Sequence, residues 1–444
     1  MESTVNSPFD ASAASTSSTQ DAANAPPGGW RIIAAATIGN ALEWFDLVVY
    51  GFFAVTIAKL FFPTGDDTVS LLLTLGTFGV SFFMRPLGAL VLGVYADKVG
   101  RKAALMFSIA LMTIGTLMIA AMPTYEAIGL WAPAGIVLAR MIQGFSAGGE
   151  FGSATAFLAE YAPKRRGFYA SWQGASQGMT TLLAAAFGAV LNNQLSPEQM
   201  QSWGWRIPFI FGLLIAPVAY YIRKHVDETP EFLAAKAEMR TRAVHSAPLA
   251  ETFANQKERL LLVIGAVVLG TVSSYLILYM PTFAVKQLGL PASTAFTAII
   301  ATGVVQTVFN PIVGHLSDKW GRTGLMLTAA VLFGVLVYPV FHWLSANPSF
   351  YAMLAVQIFI GLMAVVYFGP LPALLTEMFP TQARTTGMSL GYNIAVTIFG
   401  GFAPFIIAWL ISATGNVLAP SFYVMGAAVI SIVALLRIRR LKMY

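Results

Sequence analysis

Two carboxylates, Glu43 and Asp46, stand inside the apolar stretch GNALEWFDLVVYG (39–51), which contains no basic residue. Asn40, Glu43, Asp46 and Tyr50 follow spacings of three, three and four, which places them on one face of a helix. A carboxylate facing lipid is prohibitively costly, so that face must look into protein, with Trp44, Leu47 and Val48 covering the other sides. A second apolar stretch, RMIQGFSAGG, opens on Arg140, with Gln143 one turn on and Glu150 just beyond. A third, SFFMRPLG, holds Arg85. Burial favours the neutral form of a carboxyl, and an adjacent guanidinium favours the ionised form. A group balanced between the two can bind a proton in one conformation and release it in another. Neutralising the acid frees the guanidinium to hold an incoming carboxylate, which Arg can do bidentately. The bland alternative is a permanent structural ion pair, but ionisable groups inside apolar segments are functional by default. Glu43 and Asp46 both remain open as the titrating group. Glu150 reads as a second titrating group or a tie to Arg85. For Arg85 the structural reading is snorkelling or bracing the kink at Pro86, and the functional one is holding a substrate carboxylate.

The elements that carry these residues must cross a membrane. The chain has 444 residues, 57% of them hydrophobic and 10% charged, against about 25% charged in a soluble protein. Its apolar runs, such as VLFGVLVYPVF and FIIAWLI, belong to segments of about 20 residues, the length of a transmembrane helix. They do not alternate apolar with polar, so they read as helices and not barrel strands. Twelve spans are placed near 31–58, 70–95, 103–122, 131–158, 168–192, 205–223, 259–284, 292–316, 324–345, 350–375, 386–412 and 419–437. The predicted organisation is a disordered cytoplasmic tail (1–30), a six-helix half (31–223), a charged cytoplasmic linker (224–258), a second six-helix half (259–437) and a short cytoplasmic tail (438–444). With both termini inside, every Lys and Arg falls in a cytoplasmic segment except Lys59, Arg206 and Lys286 outside and Arg85 and Arg140 within spans. So strong a bias fixes the orientation in the inner (plasma) membrane.

Other classes are excluded on residues. There is no cysteine, so disulfides and thiolate metal sites are absent, and the four histidines are scattered. No P-loop and no His-Glu-x-x-His occurs. The basic balance reflects cytoplasmic loops rather than a nucleic-acid partner. No enzyme-like nucleophile–base pair stands within the spans. No cofactor is implied beyond a proton as coupling ion.

The halves repeat. GVYADKVGRKA at Gly93 and GHLSDKWGRTG at Gly314 share Gly-x-x-x-Asp-Lys-x-Gly-Arg. EYAPKRRG at Glu160 and EMFPTQARTTG at Glu377 share Glu-x-x-Pro, then Arg, then Gly. Two motif pairs at nearly one offset indicate duplication of a six-span unit. The loop motif at 93–102 resembles the signature of the major facilitator superfamily. GNALEWFDLVVYG, FFMRPLGALVLG, RMIQGFSAGGEFG, GFYASWQ and WGWRIPF are similar to the metabolite:proton symporter family over nearly the whole chain. SWQGASQ (171–177) looks most like citrate and tricarballylate members. GGEFG (148–152) is similar to members carrying 2-oxoglutarate or zwitterionic osmolytes.

The resemblance implies an all-α major facilitator fold of twelve helices in two pseudo-symmetric halves, and a monomer. Gly93 allows close helix approach, while Asp97 can accept from Arg101 or from a neighbouring helix N-terminus. In the superfamily this motif is a cytoplasmic conformational latch, which assigns that role to Gly93, Asp97, Arg101 and Glu160, with Asp318, Arg322 and Glu377 in the second half. Spans one and four line the cavity in the resembling fold, so Glu43 and Asp46 are the nearest candidate anions for Arg140. Asn40, Arg85, Arg140, Gln143, Gln173, Gln177, Tyr275, Gln306, Asn310 and Asn393 form the candidate substrate set, each equally able to serve as interhelical glue. Prolines 370 and 372 predict a kink near the end of span ten. Span five lacks the Gly-Pro pair usual in the superfamily's antiporters, which favours symport. The expected function is proton-driven uptake of an organic acid: citrate or a related tricarboxylate first, a 2-oxoglutarate-type dicarboxylate next, a proline- or betaine-like osmolyte third.

Overall fold

The computed structural model describes residues 29–99, 101–148, 154–155, 158–159, 162–224, 256–379 and 384–441. The tail read at 1–30 and the linker read at 224–258 lie almost wholly outside them. Among the described residues all secondary structure is helical. Eight helices are long and apolar enough to cross a bilayer, and Glu43–Phe52 with Ala54–Phe61 makes a ninth, bent span. Met106–Ala121 and Gly204–Val218 are shorter apolar helices. Trp131–Ala147 completes the set and runs up to residues outside the description.

In chain order, span one is Gly29–Phe52 continued by Ala54–Phe61, span two Asp67–Val99 and span three Arg101–Ala121. Span four is Trp131–Ala147, span five Arg166–Ala170 with Trp172–Gln194, and span six Ile207–Lys224. Spans seven, eight and nine are Lys257–Lys286, Ala292–Trp320 and Arg322–Ala346. Span ten is Phe350–Phe368 with Leu371–Glu377, and span twelve is Ala419–Leu441. Span eleven joins Arg384–Ala395, a π turn at Val396–Gly401, and Ala403–Thr414.

Three breaks shape the bundle. Span one, read from the sequence as a single span near 31–58, bends by 71° after Phe52. No proline causes this. Phe52 and Phe53 both pack their rings on Phe296 of span eight, at 5.6 and 5.8 Å between centroids, so tertiary packing sets the bend. Span ten breaks where Pro370 follows Gly369, since proline has no N–H to continue the ladder. In span eleven Pro404 cannot donate to the Gly400 carbonyl, and the chain widens into the π turn just before it.

The halves meet along spans one and seven, two and eleven, and five and eight. The last two pairs exchange under the internal repeat. Spans five and eight approach most closely where Gly167 faces Gly314: a Cβ on either would strike the other's carbonyl oxygen. Only residues without side chains allow that crossing. Span seven is central, with 78% of its apolar window buried, while span nine, at 39%, faces outward. Leu214, Val335 and Val433 stand exposed on the outer surface, as lipid contact requires. Exposed Trp131, Trp203, Trp343 and Tyr351 mark one end of the bundle, and Trp320 and Tyr221 the other, as interfacial aromatics do.

Candidate functional site

Span one does not present its polar residues to a single neighbour. Each step of three residues falls about 60° short of a full turn, so Asn40 and Asp46 diverge. Asn40 Nδ2 donates to Ser176 Oγ at 2.7 Å and to the Gln173 carbonyl at 3.4 Å, both on span five. Glu43 Oε1 accepts from Arg85 Nη2 of span two at 2.5 Å, with both side chains at most 5% exposed. Asp46 Oδ2 accepts from Thr116 Oγ1 of span three and from Gln143 Nε2 of span four at 3.4 Å. Tyr50 donates to the Thr74 carbonyl of span two at 3.3 Å.

The acid that meets a guanidinium is therefore Glu43, and its partner is Arg85 rather than Arg140. Arg85 is 2% exposed, so it does not snorkel. Among the described residues no carboxylate lies within 4.0 Å of Arg140. Its Nη1 donates to Gln143 Oε1 at 2.8 Å and its Nη2 to Ser81 Oγ at 3.3 Å, while Nε has no partner. The guanidinium also lies over the rings of Tyr50 and Phe78, at 4.7 and 5.2 Å. The physical reason is helical: Gln143 sits one turn from Arg140 and reaches the gap first. Its amide accepts from Arg140 on one side and donates to Thr116 Oγ1 (3.1 Å) and Asp46 on the other. Arg140 and Asp46 are thus coupled through one neutral amide.

Aromatic rings close the site. Arg85 lies over Phe82 at 4.7 Å. Tyr275 of span seven packs on Phe82, Phe78 and Trp44 at 5.4, 5.9 and 6.0 Å, bringing the second half against both arginines. Two cavities beside Asp46 measure about 20 and 10 Å³. Such volumes hold one or two waters, so neither cavity admits a larger solute while the bundle is packed in this way.

The remaining candidates divide into two groups. Gln173, Gln177, Gln306 and Asn310 lie along the seam of spans five and eight. Both amide atoms of Gln173, Nε2 of Gln177, Oε1 of Gln306 and Oδ1 of Asn310 are buried without a partner among the described residues. The Tyr275 hydroxyl is likewise unpartnered. Buried polar groups are almost always bonded, so this set is unusual in having so much unused capacity. Asn393 differs: it donates to the carbonyls of Gly148 and Ser389, at 3.2 and 2.9 Å, and stitches span eleven to span four.

At the basic end of the bundle, Asp318 accepts from the backbone N–H of Gly167 and Phe168, at 2.8 and 3.1 Å, at the start of span five. Arg322 pairs with Asp318 at 3.2 Å and holds Glu377 bidentately at 2.6 Å. Arg166 stands 4.0 Å from Glu377. This network ties the two halves. Gly93, Asp97 and Arg101 lie on helices whose side chains there are outside the described residues, as are Glu150 and Glu160.

The first six spans match the family model "Sugar (and other) transporter" over residues 32–247, and the second half matches "Major Facilitator Superfamily" over 297–442. A citrate-proton symporter of Klebsiella pneumoniae is 39% identical over 92% of each chain. The chain belongs to the metabolite:proton symporters of the major facilitator superfamily. An alpha-ketoglutarate permease of Escherichia coli is 36% identical, covering 93% of this facilitator and 94% of the permease. The fold is also that of a D-xylose-proton symporter crystal structure, with a TM-score of 0.70 at 19% identity over 90% of this chain and 97% of that one. This facilitator is a transporter and not an enzyme.

Several site residues escaped the sequence reading. Thr116, Ser81, Phe78 and Gly212 all touch the Asp46–Arg140 region. A threonine or glycine inside a membrane helix is ordinary, so nothing in the sequence marks them. Span three carries no ionisable residue in its apolar part, which hid its contribution altogether.

Proposed function

We propose that this facilitator couples inward proton flow to uptake of an organic acid, citrate or a related tricarboxylate first. The observation that carries this reading is Arg140: a buried guanidinium held by an amide, a hydroxyl and two ring faces, with no described carboxylate against it. An uncompensated buried charge is costly, and a substrate carboxylate would relieve it. Asp46 sits on the far side of Gln143, bonded only to neutral donors, a setting suited to a group that gains and loses a proton. When Asp46 is neutral, Gln143 is free to turn and Arg140 to bind substrate. When Asp46 is ionised, it draws the amide back. Glu43–Arg85 is the fixed pair that sets the charge of the chamber. Gln173, Gln177, Gln306, Asn310 and Tyr275 offer their unused donors and acceptors to the substrate's remaining oxygens.

The basic end of the bundle is assigned to the cytoplasm by the excess of Lys and Arg there. That puts both termini and the segment 224–258 inside, and makes Asp318, Arg322 and Glu377 an inner latch. The transporter works as a monomer in the inner membrane. A 2-oxoglutarate-type dicarboxylate is the second reading, supported by the alpha-ketoglutarate permease relative and by GGEFG. Proteoliposome uptake under an imposed pH gradient, run against citrate, tricarballylate, 2-oxoglutarate and betaine, decides among them. Gradient-driven accumulation of citrate is the expected result. Accumulation of betaine alone would reject the organic-acid reading.

A further inference from the structure

We propose that Asp46 exchanges its proton through a hydrated pocket inside the N-terminal half, between spans one, three, four and six, and not through the substrate chamber between the halves. The inference rests on reading Asp46 as the coupling acid. Its carboxylate has two unlike faces. Oδ2 accepts from Thr116 and Gln143 and looks toward Arg140. Oδ1 has no bonding partner among the described residues, although Asp46 is only 2% exposed.

That second oxygen is aimed at span six. A Cβ built on Gly212 would lie 2.7 Å from it, so the approach to Oδ1 is open only because residue 212 is glycine. The adjoining cavity, about 20 Å³, is lined by Asp46, Ser108, Thr113, Thr116, Ser146 and Gly212 among others. A cavity of that size holds a water when it offers two or more polar partners, and here Oδ1 and the lining hydroxyls supply them. Ser108 and Ser146 carry the polar surface on, with hydroxyls 3.0 Å apart. Glu43 is the other ionisable group on this wall, and among the described residues spans three and six place no charged side chain on it. Arg85, Arg140 and Gln143 line a second, smaller cavity, which shares Glu43, Asp46 and Met112 with the first but not Gly212, Ser108 or Ser146. The substrate-facing and proton-facing oxygens are thereby separated by the carboxyl group itself, so a bound anion does not obstruct protonation.

The test uses Gly212→Ala and Ala216→Val in proteoliposomes with a pH dye inside. Ala216 lines the same pocket one turn further along span six. Two quantities are read: citrate-driven proton influx, and citrate counterflow exchange without a gradient. The expected result is influx slowed about tenfold or more in both variants, as for an impaired proton-transfer step, with exchange little changed in Ala216→Val. Unaltered influx in both variants would overturn the route, and so would parallel loss of influx and exchange in Ala216→Val. If Gly212→Ala fails to fold, Ala216→Val decides. Absence of substrate-driven influx in the wild-type protein across the acid panel overturns the symport reading and this route together, and is recognised before any substitution is made.

Discussion

Glu43 and Asp46 lie one turn apart on one helix yet have different surroundings. Glu43 meets a buried guanidinium directly, so removing its charge leaves Arg85 buried and uncompensated. Glu43→Gln should therefore cost about 3–5 kcal/mol, seen as a lowered thermal unfolding temperature of the purified protein. Asp46→Asn should cost far less stability, because Thr116 and Gln143 are neutral donors and a carbonyl oxygen can replace the carboxylate. Its effect should fall on function: proton-driven accumulation lost, counterflow exchange retained. Accumulation at the wild-type level would reject Asp46 as the coupling acid. Arg140→Lys should raise the apparent KM for citrate about tenfold, the loss of roughly one charge-assisted bond. An unchanged KM would return Arg140 to a structural role. Gln143 gains importance from this geometry, since it is the only described group bonded to both Asp46 and Arg140.

At the scale of elements, the contact between span eight and span five is built from a carboxylate meeting two backbone N–H groups. Asp318 faces the first turn of span five, where an anion is favoured by the exposed N–H groups and the helix dipole. Asp318→Asn keeps the shape but forfeits the charge, and should let the basic end open more often. The chain contains no native cysteine, so a single Cys in place of Ser171, buried beside Gly314, reports that opening cleanly. Its labelling by a water-soluble thiol reagent should accelerate severalfold when Asp318→Asn is added. Equal labelling rates would show that the contact does not hold the halves together. Span eleven offers the other deformable element: its π turn carries Thr397, which donates to the Phe82 carbonyl of span two at 3.1 Å across the halves.

For the whole molecule, the described residues tie the halves at both ends. Opposite the Asp318 network, Lys286 of span seven donates to Asp67 of span two at 2.8 Å. The two ties differ in kind. Arg322 and Asp318 are largely buried, whereas Asp67 is 76% exposed. An exposed pair is worth about 0–1 kcal/mol and is screened by salt, so the end opposite the Asp318 network is the weaker closure. Lys286→Glu should favour the state open at this end, and Lys286→Glu with Asp67→Lys should restore the wild-type balance, read as substrate binding from this end. A double variant no closer to wild type than the single one would remove this pair from the gating scheme.

Composition, the charge bias and two motif pairs at one offset were sufficient for a twelve-helix, two-half membrane protein, because the bilayer permits so few backbone solutions; that it is a carrier came from the family resemblance. The motif at Gly314 likewise singled out Asp318 and Arg322, though only through the family resemblance, and not the span-five N–H groups that Asp318 meets. The polar residues of span one were legible as a set facing protein, since lipid forbids the alternative. Their partners were not. Which acid meets which arginine depends on the rotation of span one against its neighbours, on Gln143 filling the gap first, and on Thr116 and Gly212 arriving from spans whose apolar parts hold no charge to mark them. The bend after Phe52 follows the same rule: two rings close on Phe296, a residue far along the chain. Periodicity and transfer energy act along a single helix, whereas pairing is decided by distances between helices, and only the packed bundle sets those.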